Sequence, residues 1–199
     1  MKWQLEEIES TDKTRTGIAT LKSSADQLEK LVEDILDVSR IEQGRMKFDI
    51  QPVDPTVLIE AAIQNLKPIA LNKNIGLSYT QKPLPNIAVD PARFTQVLTN
   101  LIGNSIKYTL KGSVTIETTS NSETVSVIVR DTGIGISAED QKKLFQKFQR
   151  IKSPETSRIS GTGLGLWITH HIVSQMQGSV SVESIRGVGS SFTVTFPTA

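Results

Sequence analysis

The stretch DPARFTQVLTNLIGNSIKYT, residues 90–109, predicts an amphipathic helix with an unusual polar edge. Asp90 and Pro91 are residue types favoured at a helix N-cap and first position. Asn100, Asn104 and Lys107 recur at i, i+4 and i+7, which places two amides and an ammonium in one row. This row lies beside a buried apolar stripe of Phe94, Val97, Leu98, Leu101 and Ile102. Amide oxygens suit Mg²⁺ and lysine suits a phosphate, although an ordinary surface face would look the same.

Three glycine-containing loops follow this helix: DTGIG (131–135), GTGLGL (161–166) and GVGSSF (187–192). Each is weak evidence alone, because turns use glycine routinely. GTGLG precedes the apolar run Leu166–Val173, so its backbone N–H groups would lie at a helix N-terminus, where anions bind. It lacks the lysine and hydroxyl of a P-loop and follows no strand, as a dinucleotide fingerprint requires.

The segment between the first two loops is predicted to form a mobile lid. Leu144–Arg150 (LFQKFQR) is followed by Ile151–Ser160 (IKSPETSRIS), which is polar, contains a proline and has no regular period. Its surroundings are cationic through Arg150, Lys152 and Arg158. We expect a lid, with a solvated surface loop as the alternative.

The first 45 residues predict a bundle-type helix that stops near Gly44. Leu21, Ala25, Leu28, Val32 and Ile35 alternate spacings of four and three, a seam for packing on another helix. Ser10–Gly17 is polar and predicts a loop. Since the chain contains no obvious partner for the seam, we expect a homodimer, a truncated hairpin, or both.

From residue 46 onward strands and helices are mixed. Helices are predicted from Asp54 to Leu71, from Ser137 to Lys147 and from Leu164 to Met176. Strands are predicted at 46–51, 75–80, 87–89, 113–119, 124–130, 178–184 and 191–196. The expected fold is an α/β (α+β) two-layer sandwich, a mixed sheet with helices on one face, preceded by the long helix. The predicted domains are therefore residues 1–45 and 46–199.

Composition excludes several classes of protein. The net charge of +1 gives no global field for nucleic acid or an anionic membrane. There are no cysteines, and the only two histidines are adjacent, so a thiolate or histidine metal cluster is not expected. No apolar run approaches the ~20 residues of a membrane span. We expect a cytoplasmic location.

The order of the motifs resembles the ATP-binding domain of sensor histidine kinases. NLIGNSIKYT, DTGIGI, LFQKF, GTGLGL and GVGSSF resemble its N box, first glycine box, phenylalanine box and later glycine boxes. That domain belongs to the GHKL superfamily, with gyrase, the ninety-kilodalton heat-shock chaperones and the MutL ATPases. The run LEKLVEDILDVSRIEQGRM resembles the second helix of the kinase dimerisation and phosphotransfer hairpin.

The resemblance implies ATP and Mg²⁺ as cofactors and a role for each motif residue. Asn104 would ligate Mg²⁺, with Asn100 near the metal and phosphates. Lys107 and Arg150 would contact phosphates, and Tyr108 would pack on the purine. The adenine end would be held by Asp131, Gly133, Gly135 and Ile136, and the phosphates by Gly161, Thr162, Gly163, Leu164 and Gly165.

Two features refine this implied function. ATP hydrolases of the superfamily carry a glutamate base where this chain has Asn100, and an amide cannot take a proton. The phospho-accepting histidine motif of the family is absent from this sequence, and His170 and His171 read as ordinary helix residues. The resemblance thus implies phosphoryl transfer from ATP to a histidine that is not present in this chain, for relay to a response regulator receiver domain. By itself the chain is therefore not expected to autophosphorylate. The alternatives are a serine kinase, an ATPase or a non-catalytic nucleotide-sensing module.

Overall fold

The structure, a computed structural model, describes residues 2–151 and 161–199. The chain divides into two compact units, Met1–Arg45 and Met46–Ala199. The first unit contains helix α1 (Lys2–Glu42). The helices of the second are α2 (Pro55–Asn72), α3 (Pro91–Tyr108), α4 (Ala138–Gln141) and α5 (Gly165–Gln175). Its strands are β1 (Gln51–Val53), β2 (Ile75–Tyr79), β3 (Ile87–Val89), β4 (Gly112–Ser120), β5 (Thr124–Asp131), β6 (Ser179–Ile185) and β7 (Gly189–Pro197).

Helix α1 is continuous, so the predicted loop at Ser10–Gly17 is wrong. That stretch has no proline. Its serine, threonine and aspartate residues each cost roughly a few tenths of a kcal/mol in a helix and Gly17 costs about 1 kcal/mol, which does not interrupt the helix. Polar composition alone therefore did not end the helix. Within the described part of the chain, no helix is both long enough and apolar enough to cross a bilayer.

The second unit is built on a mixed five-stranded sheet in the order β2-β4-β5-β7-β6. β2 pairs with β4 in parallel, and the other neighbours are antiparallel. The predicted hairpins β4–β5 and β6–β7 are both present. β1 and β3 form a separate antiparallel pair. The structure confirms the predicted mixed sheet of an α+β sandwich.

One face of the sheet forms the core. The register aligns Ile116 with Val129 and Val129 with Phe192, and all three side chains are buried. Helices α2, α3 and α5 contact the sheet strands, and Phe94 of α3 packs edge-on against Phe196 of β7 with ring centroids 5.2 Å apart. The apolar stripe of α3 is completely buried, at Phe94, Val97, Leu98, Leu101 and Ile102. This burial leaves the polar row of α3 beside the core, as the sequence predicts.

Two Asp-Pro pairs start the long helices of this unit. Asp54 accepts a hydrogen bond from the Thr56 backbone N–H at 2.9 Å, and Asp90 accepts one from the Arg93 N–H at 3.0 Å. Each cap satisfies a donor that the first helical turn leaves unpaired. The helix boundaries near Asp54 and Asp90 therefore follow the sequence signals closely.

Two predicted elements of the second unit differ from the structure. The strand predicted at 46–51 is instead β1 at Gln51–Val53, because it can pair only where the three-residue β3 lies opposite. The helix predicted from Ser137 to Lys147 ends at Gln141. The following residues make i to i−3 hydrogen bonds, such as Gln146 N–H to the Lys143 carbonyl at 3.0 Å, so tight turns replace the helix.

Candidate functional site

The polar row of α3 is held by hydrogen bonds to α5. The Asn100 amide nitrogen donates to the Thr169 hydroxyl at 2.8 Å, and the Asn104 amide nitrogen donates to the Asn100 amide oxygen at 3.3 Å. Thr169 lies on α5 and is buried. The chain of contacts fixes the orientation of Asn100 and leaves the amide oxygen of Asn104 out of these hydrogen bonds. Sequence reasoning did not identify Thr169, because only the packing of α3 on α5 brings it to Asn100.

The GTGLG loop lies directly on this row. A methyl group added at Gly161 would lie 2.6 Å from Lys107 Nζ, and one added at Gly165 would lie 2.5 Å from Asn100 Oδ1. Gly163 adopts φ +74°, which favours glycine, and packs against the backbone of Phe148. The structure therefore brings the predicted anion loop to the predicted amide and ammonium row.

Helix α5 begins at this loop, and its N-cap residue supplies no side-chain acceptor for the first N–H groups of the helix. Leu164 occupies the N-cap position and makes no side-chain cap hydrogen bond. The Thr162 hydroxyl accepts a hydrogen bond from the Leu164 N–H at 3.2 Å. The positive end of a helix without a side-chain acceptor is suited to an anion.

Asp131 lies buried at the end of β5. One carboxylate oxygen accepts hydrogen bonds from the Gly133 N–H at 2.9 Å and the Ser190 N–H at 3.2 Å. The other oxygen accepts one from the Ser105 hydroxyl at 3.2 Å. Burial raises the pKa of Asp131, and these hydrogen bonds oppose the shift by favouring the charged form. Ser105 and Ser190 are further residues of the site that sequence reasoning missed.

The DTGIG loop is packed tightly against the end of α3. A methyl group added at Gly133 would lie 2.5 Å from the Tyr108 carbonyl oxygen. The Ile134 N–H donates to the same carbonyl at 3.3 Å. Gly135 has φ +64°. The Ile136 N–H donates to the Ser184 hydroxyl at 2.8 Å, which ties the end of the loop to β6.

Lys107, Tyr108 and Arg150 influence one another electrostatically. Lys107 Nζ lies 5.1 Å from the centre of the Tyr108 ring. Burial lowers the pKa of Lys107, and the nearby positive charge of Arg150 lowers it further. Burial raises the pKa of Tyr108. The site thus concentrates positive charge at the C-terminal end of α3.

A cavity of about 410 Å³ lies beside the DTGIG loop. It shares Gly133 and Gly135 with the predicted site, and Ile151 also lines it. Asn100, Asn104 and Asp131 do not line it, so the hydrogen-bond geometry, more than this cavity, defines the site. Of the predicted lid, residues 152–160 lie outside the described residues, including Lys152 and Arg158.

The two histidines pack against aromatic side chains. The rings of His170 and Phe145 are 5.6 Å apart, and those of His171 and Trp167 are 6.1 Å apart and stacked. Among the residues that the structure describes, no group of three His, Cys, Asp or Glu side chains could hold a metal ion.

Comparisons with known proteins agree on one family. Residues 89–199 match the family described as histidine kinase-, DNA gyrase B- and HSP90-like ATPase. The chain is 35% identical to sensor histidine kinase RcsC of Escherichia coli K12 over 182 residues, 90% of this chain and 19% of RcsC. It is 35% identical to sensor protein GacS of Pseudomonas syringae pv. syringae over 199 residues, 96% of this chain and 22% of GacS. The chain thus spans about a fifth of the length of these relatives.

Solved structures give the same result. Full-length ShkA in complex with AMPPNP superposes with a TM-score of 0.78 and 30% identity, covering 93% of this chain and 39% of ShkA. The histidine kinase AdeS of Acinetobacter baumannii, at 24% identity and a TM-score of 0.74 over 91% of this chain and 83% of AdeS, shows the same fold. Together with the motif order and the packing of the glycine loops on α3, these matches show that the chain belongs to the histidine kinase-, DNA gyrase B- and HSP90-like ATPase family.

Proposed function

We propose that this chain is the catalytic part of a sensor histidine kinase, which binds Mg-ATP and transfers its γ-phosphate to a histidine on another segment. The observation that carries the proposal is the position of α3. Its last turns lie between a buried carboxylate at Asp131 and a glycine loop packed on Lys107 and Asn100. A nucleotide has one polar base and one anionic phosphate chain, and this arrangement offers a matching group at each end.

The carboxylate end suits adenine. Asp131 already accepts three hydrogen bonds, and a carboxylate has about four lone-pair sites, so it can accept one more from the exocyclic amine. Gly133, Gly135 and Ile136 would let the backbone pass close to the flat base, and Tyr108 would pack on it. An anionic phosphate at this carboxylate would instead be repelled.

The opposite end suits the phosphates. Lys107 and Arg150 supply positive charge, and the start of α5, where the N-cap Leu164 makes no side-chain cap hydrogen bond, supplies N–H donors. The residues Gly161, Thr162, Gly163, Leu164 and Gly165 would surround the phosphate chain. Gly161 and Gly165 leave room for this, because a side chain at either position would meet Lys107 or Asn100.

The amides of α3 fit a magnesium ion. Mg²⁺ prefers oxygen ligands, takes few from the protein and completes its shell with phosphates and water. Asn104 would supply one amide oxygen, and Asn100, oriented by Thr169, would lie near the metal and phosphates. When bound, the ion would supply neutralisation of phosphate charge.

The asparagine at position 100 favours phosphoryl transfer over hydrolysis of ATP. Asn100 cannot accept a proton from water, so the chain offers no base there to activate a hydrolytic attack. In the proposed transfer, an imidazole nitrogen of the acceptor histidine forms a bond to the γ-phosphorus as the bond to the β–γ bridging oxygen breaks, and ADP leaves. Lys107 and Arg150 would hold the phosphates in line for this step.

The remaining assignments belong to the same proposal. Residues 1–45 would be part of the dimerisation and histidine-phosphotransfer region, and residues 46–199 the catalytic ATP-binding domain. The partners would be a second copy of the chain, a hairpin helix bearing the acceptor histidine, and the receiver domain of a response regulator.

The test is transfer to a separate acceptor. The protein is mixed with Mg-ATP labelled at the γ-phosphate and with a hairpin fragment that carries the acceptor histidine. We expect acid-labile, alkali-stable label on the fragment. Asn104→Ala should abolish it, whereas Asn65→Ala, an exposed asparagine on α2, should not. Nucleotide binding without transfer to several fragments would favour a sensing module, and rapid release of free phosphate would contradict the argument from Asn100.

A further inference from the structure

The C-terminal end of α3 is capped by a residue from outside the predicted motifs. A helix leaves its last four carbonyl groups without intrahelical donors. Lys73 Nζ donates to the carbonyl oxygens of Ile106 at 2.7 Å, Lys107 at 3.0 Å and Thr109 at 3.2 Å. The one carbonyl between them, that of Tyr108, accepts from the Ile134 N–H. Four successive carbonyls at this end therefore have donors, and three of them share one ammonium.

The topology explains how Lys73 reaches this end. It is the C-cap residue of α2, and Asn74 at φ +55° turns the chain into β2. β2 and β4 run in parallel, with Ile75 opposite Gly112. The strands that follow α2 and α3 therefore start side by side, and the ends of the two helices meet.

The turn that Lys73 caps carries two residues of the proposed nucleotide site. Lys107 lies in the last turn of α3 and Tyr108 is its last residue. The same turn contacts the DTGIG loop through the Tyr108 carbonyl. We propose that Lys73 is a positioning residue of this site, whose ammonium fixes the last turn of α3 so that Lys107 and Tyr108 face the nucleotide. This inference rests on the proposed function.

The charge of Lys73 acts in the same direction as its hydrogen bonds. An ammonium at a helix C-terminus interacts favourably with the negative end of the helix dipole. Lys73 is also one of the positive charges that lower the pKa of Lys107, after burial and Arg150. Lys73 thus adds to the positive charge that Lys107 and Arg150 place at this end of α3.

A double-mutant cycle separates positioning from simple stability. Lys73→Met, Lys107→Met and the double variant are titrated with Mg-ATP. Lys67→Met serves as the control, because it removes an exposed lysine from α2, the helix that Lys73 follows. We expect Lys73→Met alone to weaken Mg-ATP binding about tenfold, and to weaken it only about threefold when Lys107 is already methionine, because the placement of Tyr108 alone then remains to be lost. Lys73→Arg, which retains the charge and several donors, should restore most of the affinity.

The outcomes separate this inference from the proposed function. Equal losses from Lys73→Met in both backgrounds, or no loss at all, would overturn the positioning role while leaving nucleotide binding intact. Failure of the wild-type chain to bind Mg-ATP would instead contradict the proposed function. If Lys73→Met does not fold, Lys73→Gln, whose amide keeps one donor arm, takes its place in the cycle under the same criteria.

Discussion

At the scale of single residues, Asp131 combines a structural role, as the acceptor of hydrogen bonds from three residues, with the proposed role of binding adenine. A substitution can separate the two. Its carboxylate is buried and accepts hydrogen bonds from Gly133, Ser190 and Ser105. The two backbone donors share one oxygen, and the serine hydroxyl uses the other. An asparagine could keep all three contacts, since its oxygen can accept both N–H groups and its amide can donate to the serine hydroxyl.

We therefore predict that Asp131→Asn keeps the fold but loses nucleotide affinity. The amide would present a donor to the adenine amine, which is also a donor, so ATP binding should weaken at least about tenfold. Titration with a fluorescent ATP analogue measures the affinity, and urea unfolding at neutral pH measures stability, which should stay within about 1 kcal/mol of wild type. Full ATP affinity in the variant would contradict the assignment of Asp131 to the base.

The same variant should change how stability depends on pH. Because burial raises the pKa of Asp131, the folded chain binds this proton more tightly than the unfolded chain. The stability that this tighter proton binding contributes is complete at pH values below the pKa of the unfolded chain, and it is lost as pH rises through the pKa of the folded chain. The free energy of unfolding of Asp131→Asn should therefore rise relative to wild type across the acid range and level off above it. Urea unfolding at a series of pH values checks this, and a difference independent of pH would argue against it.

The residues of the site were predictable to different degrees. Asp131 stands out in the sequence because a carboxylate heads a glycine turn directly after a strand. Its partners Ser105 and Ser190 do not stand out, since they lie 26 and 59 residues away and meet it only through the packing of α3 and β7. Lys73 was missed for the same reason, because a lysine between a helix and a strand has no local signature.

At the scale of elements, α3 does most to organise the site. Its apolar stripe is fully buried on the sheet, which fixes the direction of its polar row. Gly103 lies inside this helix, and a methyl group added there would meet no atom within 4 Å outside the local helix backbone. The position therefore carries the entropic cost of glycine without a steric need for it.

We predict that Gly103→Ala stabilises the chain by about 0.5–1 kcal/mol, because alanine loses less backbone freedom on folding. Gly133→Ala is the contrasting variant, since its methyl group would lie 2.5 Å from the Tyr108 carbonyl oxygen. It should destabilise by about 1–3 kcal/mol. Urea unfolding of both variants measures the two effects, and a loss of stability in Gly103→Ala would show that α3 cannot accept a side chain at this position.

Elements with local signals were predicted well, and elements set by distant pairing were not. Asp54 and Asp90 marked two helix starts because capping needs only neighbouring residues. β1 was placed too early, since its extent is decided by the short β3. α4 was predicted too long, because the sequence after Gln141 remains compatible with a helix while the chain turns.

At the scale of the whole molecule, the first unit differs from the second in its apolar surface. Leu21, Leu28 and Ile35 of α1 are 73%, 66% and 52% exposed. The second unit instead buries a continuous core on one face of its sheet. Burying a large apolar side chain contributes about 1.5–3 kcal/mol, so the seam of α1 favours association with another helix.

We predict that the chain self-associates through α1. Sedimentation velocity should show a concentration-dependent dimer, and Leu28→Asp should raise its dissociation constant at least about tenfold by placing a charge in each half of the seam. Leu71→Asp is the matched control, because Leu71 is 63% exposed but lies on α2. Residues 46–199 alone should remain monomeric and bind Mg-ATP as the whole chain does. Association that persists in that fragment would place the interface on the second unit and would contradict the prediction that the apolar residues of α1 form it.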